Sequence, residues 1–432
     1  MPRRLLPPLP QPLAAARRAP LWALGAGAAL LTWLQMVRRP ADPPLWDSFF
    51  TEDGGVFLGH AVDNPIRDSL TTSHFGYLHT APRLIAEPAT WFSLEHAPLV
   101  MSLLTCVLVG LIAAYVFAAS AAWIASPPLR FVLATCVALL PATAREINGT
   151  AANLHWYLMF AAFWALVCPW RGRWWLVASA AVVGLAALSD PLTVVLLPIG
   201  VLFAWRSGER RAWVLPGLIA LGLVAHVVLR DSEAERFGEL KVAELPRIFA
   251  ERVTSSLLAG DRHLEDLFGG RTGSPFAWAS LVVVAVALGL GLWRLRGRRR
   301  WLVGCAAALS VVFFVIPALR RGSAVFVPAE PWLGASSRYV YLPVMFLLTA
   351  LLAAFDRDGP RRRWREVVVA VLVLAAVAVN YRAPSTTEGG ASWKAELSKA
   401  ERSCVGKAPH EPAQIKIIPR SWQVEIDCGR LD

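Results

Sequence analysis

Charge is scarce in this 432-residue chain: 17% of its residues are Asp, Glu, Lys or Arg, 56% are hydrophobic, and the mean hydropathy is +0.48. Water-soluble chains carry about 25% charged residues, so an ordinary globular enzyme is excluded. Nucleotide-binding signatures are missing as well. No G-x-x-x-x-G-K-[ST] and no G-x-G-x-x-G follows a strand pattern, which argues against chemistry driven by ATP or a nucleotide sugar. There is no H-E-x-x-H, and the eight histidines are dispersed without zinc-ligand spacing. No fixed-period repeat is visible. The apolar stretches hold few ionisable residues, whereas an ion-coupled transporter needs several near mid-membrane.

Cysteines are few and divide by location. Cys106, Cys136, Cys168 and Cys305 lie in or beside apolar stretches, while Cys404 and Cys428 lie in a polar tail. The tail pair forms a disulfide if it faces an oxidising compartment, and otherwise stands as two thiols.

What the chain has in abundance is apolar blocks of roughly 16 to 22 residues, the length that crosses about 30 Å of hydrocarbon as a helix. They predict an all-α integral membrane protein with about eleven transmembrane helices, over 20–37, 97–124, 129–144, 154–169, 174–189, 191–205, 212–229, 276–293, 301–319, 339–355 and 366–380. Arg171/Arg173, Arg206/Arg210/Arg211, Arg294 to Arg300 and Arg357 to Arg365 fall on alternate connections, so the positive-inside rule makes these and the N-terminus cytoplasmic. This division puts 20 basic and 4 acidic residues inside, and 23 basic and 27 acidic outside. The net charge of +12 is therefore a topology signal, and no basic groove with interleaved aromatics points to nucleic acid.

The organisation expected is a cytoplasmic N-terminus over 1–19, a transmembrane module over 20–380 with long outer loops 38–96, 230–275 and 320–338, and an extracytoplasmic tail over 381–432. The first span, preceded by Arg17 and Arg18 and lacking a small-residue cleavage site, reads as a retained signal anchor. In loop 38–96 a membrane-skimming helix is expected, with Leu84, Ile85, Trp91 and Phe92 in the interface and Arg83 and Glu87 in water. In the tail, Ile415, Ile417, Ile418, Trp422, Val424 and Ile426 near-alternate with polar residues, predicting one or two strands. A composition rich in Ala, Arg and Trp fits a bacterium with a GC-rich genome, so the membrane expected is a bacterial inner or plasma membrane.

The chemistry-bearing stretch is Trp46-Asp47-Ser-Phe-Phe-Thr-Glu52-Asp53-Gly-Gly-Val-Phe-Leu-Gly-His60, just after the first span. On a helix Phe49, Asp53, Phe57 and His60 share a face, which holds a carboxylate among aromatics where desolvation raises its basicity. Alternatively Gly54-Gly55 breaks the helix, and Glu52 or Asp53 caps the next one.

An N-in chain of about a dozen spans, whose long first outer loop opens with an acidic pair and continues into an interfacial helix, resembles the GT-C superfamily of membrane glycosyltransferases. Gly76-Tyr77-Leu78-His79, Arg83, Ser189-Asp190-Pro191 and Arg338-Tyr339 are similar to segments of bacterial members. The resemblance implies transfer of a sugar from a polyprenyl-phosphate donor to a glycan, lipid or protein acceptor, with a first-loop acid as general base. Asp53 takes that role first and Glu52 second. Phosphate binding falls to outward arginines, since a guanidinium grips phosphate bidentately and stays charged near lipid. The candidates are Arg83, Arg145, Arg320, Arg321 and, first, Arg338 beside Tyr339, for which an interfacial anchor is the competing reading. His79, Asp47, His155 and Asp190 are further substrate-binding candidates, Asp190 equally serving as a helix cap. No cofactor is required, although Mg2+ or Mn2+ between Asp47, Glu52 and Asp53 is conceivable. Two other functions compete: a lipid-linked-saccharide translocase or transporter, and a non-catalytic envelope-assembly subunit.

Overall fold

The structure, a computed structural model, describes residues 20–38, 42–143, 146–168, 172–229, 241–260, 274–322, 337–356, 363–382, 389–419 and 421–431. Each of the eleven apolar segments is helical. The main helices are α1 (Leu21–Met36), α2 (Thr80–Ala89), α3 (Ala97–Ser120), α4 (Pro127–Leu139), α5 (Leu154–Val167), α6 (Arg173–Ser189) and α7 (Leu197–Ser207). They continue with α8 (Val214–Val228), α9 (Pro275–Arg294), α10 (Gly297–Arg321), α11 (Ser337–Phe355), α12 (Arg363–Val379) and α13 (Trp393–Cys404). Five stretches, Leu94–Ser120, Arg210–Val228, Pro275–Arg294, Gly297–Arg321 and Arg338–Phe355, are long and apolar enough to cross a membrane.

Helix α5 is the axis of the bundle, with all fourteen of its residues buried. The periphery is apolar in the opposite sense: α9 exposes Val282, Val283, Val286 and Leu290, a face that suits lipid rather than water. Since lipid supplies no hydrophobic drive for helices to meet, close packing through small residues does that work. A Cβ added at Gly110 of α3 would sit 2.6 Å from the carbonyl oxygen of Ala28 in α1, and one at Gly222 of α8 would sit 2.7 Å from Ala187 Cβ in α6. At the α1–α3 contact, buried Gln35 and Thr32 both donate to Cys106 O.

The two ends of the bundle are closed by different means. At one, the buried Asp356 carboxylate accepts from Ala125 N at 2.8 Å and Ser126 N at 3.1 Å, and lies 3.4 Å from Arg299, so it caps α4 and ties it to the start of α10. At the other, buried Arg38 donates to Leu140 O and Tyr381 O, joining the ends of α1, α4 and α12.

Beyond α12 the tail forms α13 and an antiparallel hairpin, β1 (Pro412–Lys416) and β2 (Gln423–Asp427), in the register Ile415↔Val424. Buried Ala413, Ile415, Val424 and Ile426 alternate with exposed neighbours, and α13 lays Trp393, Leu397, Ala400 and Cys404 against them. Cys404 is joined to Cys428, fastening the helix to the end of the hairpin. The strands fulfil the alternating pattern; the helix in front of them was not anticipated, although Ser392 as cap and apolar residues at a 3.6-residue period mark it.

The interfacial helix exists as α2, but its polar face is not in water. Leu84, Trp91 and Phe92 are exposed as expected, whereas Arg83 is 2% exposed and Ile85 is buried. Gly110→Leu should force α1 from α3 and cost about 1–3 kcal/mol, the usual range for overpacking. A fall in the melting temperature of the detergent-purified protein measures it, and an unchanged value would mean that this contact does not hold the bundle.

Candidate active site

A cavity of about 270 Å³ opens at the end of the bundle opposite the Arg294–Arg300 turn. Its wall takes Glu52, His74, Tyr77 and His79 from the first long loop, and His155 with Trp156 from the start of α5. Asp190 at the end of α6, Arg320 and Arg321 at the end of α10, and Arg338 with Tyr339 at the start of α11 complete the bundle's share. The tail adds Trp422.

The acidic pair divides its labour. Asp53, 5% exposed, accepts from Ala151 N at 2.9 Å and from Ala152 N at 2.7 Å, so both oxygens are spent on the free amides that lead into α5. It is not part of the cavity wall. The residue placed first as base is thus turned away from the cavity, and Glu52, one residue earlier, faces it.

Glu52 Oε1 lies 3.7 Å from Arg338, and the same guanidinium lies 3.4 Å from buried Glu146, whose Oε2 also accepts from Arg338 N at 3.1 Å. Burial by itself would raise the Glu52 pKa, but the Arg338 charge, joined by local hydrogen bonding, outweighs it and holds the carboxyl below the ordinary glutamate range. The Arg338 ring partner is Tyr339, at 5.3 Å. The engagement of Glu146 with Arg338, 192 residues away, carries no local sequence signal.

Asp190 does two things. Its Oδ1 accepts from Leu192 N at 2.7 Å as a helix cap, and its Oδ2 lies 3.5 Å from His155 Nε2 on the cavity wall. His155 Nδ1 must donate to Ala152 O, 2.8 Å away, because a carbonyl only accepts. His79, in the left-handed region at φ 52°, starts α2 and is held neutral, first by burial and then by His155 and His74 beside it. Thr51 and Phe75, also on this loop, have φ 44° and 51°, so backbone strain gathers around the cavity. Glu52 Oε2, His79 Nδ1 and Trp156 Nε1 are buried polar atoms without a hydrogen-bond partner among the described residues, an arrangement that calls for a polar ligand.

The sequence model of glycosyltransferase family 87 matches residues 83–319, more than half of the chain. The chain belongs to glycosyltransferase family 87. Membership agrees with the GT-C resemblance. No curated protein matches the chain. Among solved structures, the archaeal oligosaccharyltransferase AglB from Archaeoglobus fulgidus, in complex with an inhibitory peptide and a dolichol-phosphate, is similar at 12% identity and a TM-score of 0.42. The match covers 90% of this chain and 58% of that one, so this chain spans less than two thirds of AglB.

Several residues expected in the site of this family 87 member lie elsewhere. Arg83 turns inward: it donates to Leu78 O at 2.9 Å, meets His60 Nδ1 at 3.1 Å and covers the Phe57 ring at 5.5 Å. Burial lowers its pKa to about 10, and it is not part of the cavity wall. Asp47 accepts from Ser392 Oγ at 2.7 Å and Lys394 N at 3.0 Å, capping α13. With Asp47 and Asp53 so engaged, the three loop carboxylates do not converge on a divalent cation, and no group of three or more metal-ligating side chains occurs among the described residues. Arg145 lies outside the described residues. Arg320 donates to the Tyr77 hydroxyl at 2.6 Å and stays on the wall with Arg321. His74 and Trp422 were not anticipated as site residues; each reaches the cavity through a turn whose course is set by tertiary contacts.

Asp53→Asn replaces one acceptor with a donor facing a backbone N–H and should destabilise the fold by about 1–3 kcal/mol, the cost of a buried unsatisfied group. Thermal unfolding reads this. A variant as stable as the parent would remove the capping role.

Proposed function

We propose that the cavity transfers a sugar from a polyprenyl-phosphate donor to a hydroxyl acceptor on the outer face of a bacterial plasma membrane, with Glu52 as general base. What supports this above all is that one small cavity holds Glu52, with an unpartnered Oε2, together with Arg320, Arg321 and Arg338. Glu52 takes the acceptor hydroxyl proton while that oxygen bonds to the anomeric carbon. The bond from that carbon to the phosphate oxygen breaks as oxocarbenium character develops. The polyprenyl phosphate leaves with the electron pair, and its negative charge is met by the arginines, so no separate acid is needed. Direct displacement by one base without a protein nucleophile inverts the anomeric configuration. Hydroxyls of a glycan, a lipid or a protein all satisfy this chemistry.

The outward orientation rests on charge. The Arg-rich connections lie at the end of the bundle away from the cavity, and the positive-inside rule assigns that end to the cytoplasm. The N-terminus is then inside and the disulfide-bonded tail outside, where oxidation is permitted.

In nanodiscs with a panel of polyprenyl-phosphate sugars, Glu52→Gln should lower kcat by about 10²–10⁴, the range for loss of a general base, while donor binding is retained. Normal turnover in that variant ends the assignment. The pH profile gives a second test. A base whose folded pKa is depressed stays ionised to below about pH 4.3, the unperturbed glutamate value, so the acid limb of kcat/KM from this group lies lower still. Arg338→Gln leaves burial unopposed and should move that limb upward; an unmoved limb would mean that the limb does not report Glu52.

A further inference from the structure

The tail contributes to the cavity wall through Trp422, and this indole differs from the other aromatics there. Phe75 stacks near His74 at 4.3 Å, Tyr77 carries Arg320 at 5.1 Å, Trp156 meets Tyr339 at 5.7 Å, and Tyr339 carries Arg338. Trp422 has no ring, cation or side-chain hydrogen-bond partner among the described residues, although it is half-buried. The fold nevertheless holds it firmly. The Trp422 backbone N–H donates to Pro419 O at 2.8 Å, closing the turn between β1 and β2. The hairpin is pinned to the Glu52 loop by Thr51 N donating to Ile418 O at 2.7 Å and Ile418 N donating to Phe49 O at 3.0 Å.

The indole packs against the hydrophobic core and against Gly55, three residues after Glu52. A Cβ at Gly55 would lie 3.1 Å from Trp422 Cε3 and 3.1 Å from Gln423 O, tighter than side chains ordinarily pack. The exposed part of the indole lines the cavity that also holds Glu52, His79, His155 and three arginines. A pyranose ring has the matching character: an apolar C–H face that stacks on an aromatic ring, edged by hydroxyls that seek carboxylates, imidazoles and guanidinium groups.

We propose that Trp422 is the acceptor subsite of this enzyme and that the acceptor is the pyranose end of a glycan, stacked on the indole with one hydroxyl presented to Glu52. This rests on the reading of Glu52 as the base. The donor phosphate is then held by the arginines of α10 and α11, and the acceptor sugar by the tail's indole. The tail is thereby a specificity element as well as a cap.

The test uses the full-length protein in nanodiscs, with manno-, gluco- and galacto-oligosaccharides of two to four units, a Ser/Thr-containing peptide and a polyprenol as acceptor probes. Trp422→Leu keeps an apolar side chain at the turn and removes the aromatic face. It should raise the KM for the oligosaccharide by about tenfold, the order one aromatic contact supplies, with donor KM and donor hydrolysis by water unchanged. Trp422→Phe should restore most of the affinity, and Gly55→Val, which displaces the indole, should reproduce the Leu phenotype. Direct oligosaccharide binding, followed by saturation-transfer NMR without any donor, should weaken in the same variants. An acceptor KM within twofold of the parent in Trp422→Leu, or transfer to peptide or polyprenol alone, overturns the proposal. Normal transfer by Glu52→Gln would sink the base assignment instead, and oligosaccharide binding that still depends on Trp422 would then show that the two have failed separately.

Discussion

The candidate site depends on a carboxylate that lies outside the cavity wall. Asp53 binds the amides of Ala151 and Ala152, and in doing so fastens the first long loop to the lead-in of α5, the helix around which the bundle packs. A buried carboxylate is costly unless its oxygens are satisfied, and here two N–H groups that would otherwise be orphaned meet that need. Once this contact forms, chain connectivity alone carries Glu52 to the cavity wall. The left-handed backbone at Thr51 is tolerated because the contacts on both sides fix it: Asp53 on α5 and Thr51 itself on the tail.

Electrostatic order in the cavity follows from that placement. Arg338 lies between Glu52 and Glu146, so its charge is balanced, and the neighbouring His79 is neutral. The same guanidinium bears on both carboxylates, and its charge keeps Glu52 ionised despite burial.

The sequence disclosed these features unevenly, and the reason is range. Helical segments are legible because an apolar run of bundle length is a local property, and each of the eleven is helical. The acidic pair was legible as part of a candidate site. Which member faces the cavity was not, since Asp53 is held by amides almost a hundred residues away at Ala151 and Ala152. Arg83 was misread for a related reason: amphipathic logic puts an arginine of a skimming helix in water, but Leu78 O, His60 and the Phe57 ring form an interior site for it. Asp47 looked like a third site acid because it is near in sequence, while its partner is the start of α13, 345 residues on.

Gly54-Gly55 shows how a local rule can point the wrong way and still mark the right spot. Glycine in a helix lowers its stability by about 1 kcal/mol relative to alanine, so a pair invites the reading of a helix break. Here the helical turn runs through both residues, over Asp53–Leu58. Their role is steric. A Cβ at Gly54 would lie 3.0 Å from Phe49 Cβ and 3.1 Å from Ile417 and Val424, and one at Gly55 would meet Trp422 and Gln423. The intrinsic cost to the helix is offset by the close docking of the hairpin, and that docking brings a tail more than 360 residues away in sequence into the wall beside Glu52. The acidic pair and the glycine pair are thus one device: Asp53 fixes the loop to the bundle, and the glycines fix the tail to the loop, with Glu52 held at their junction.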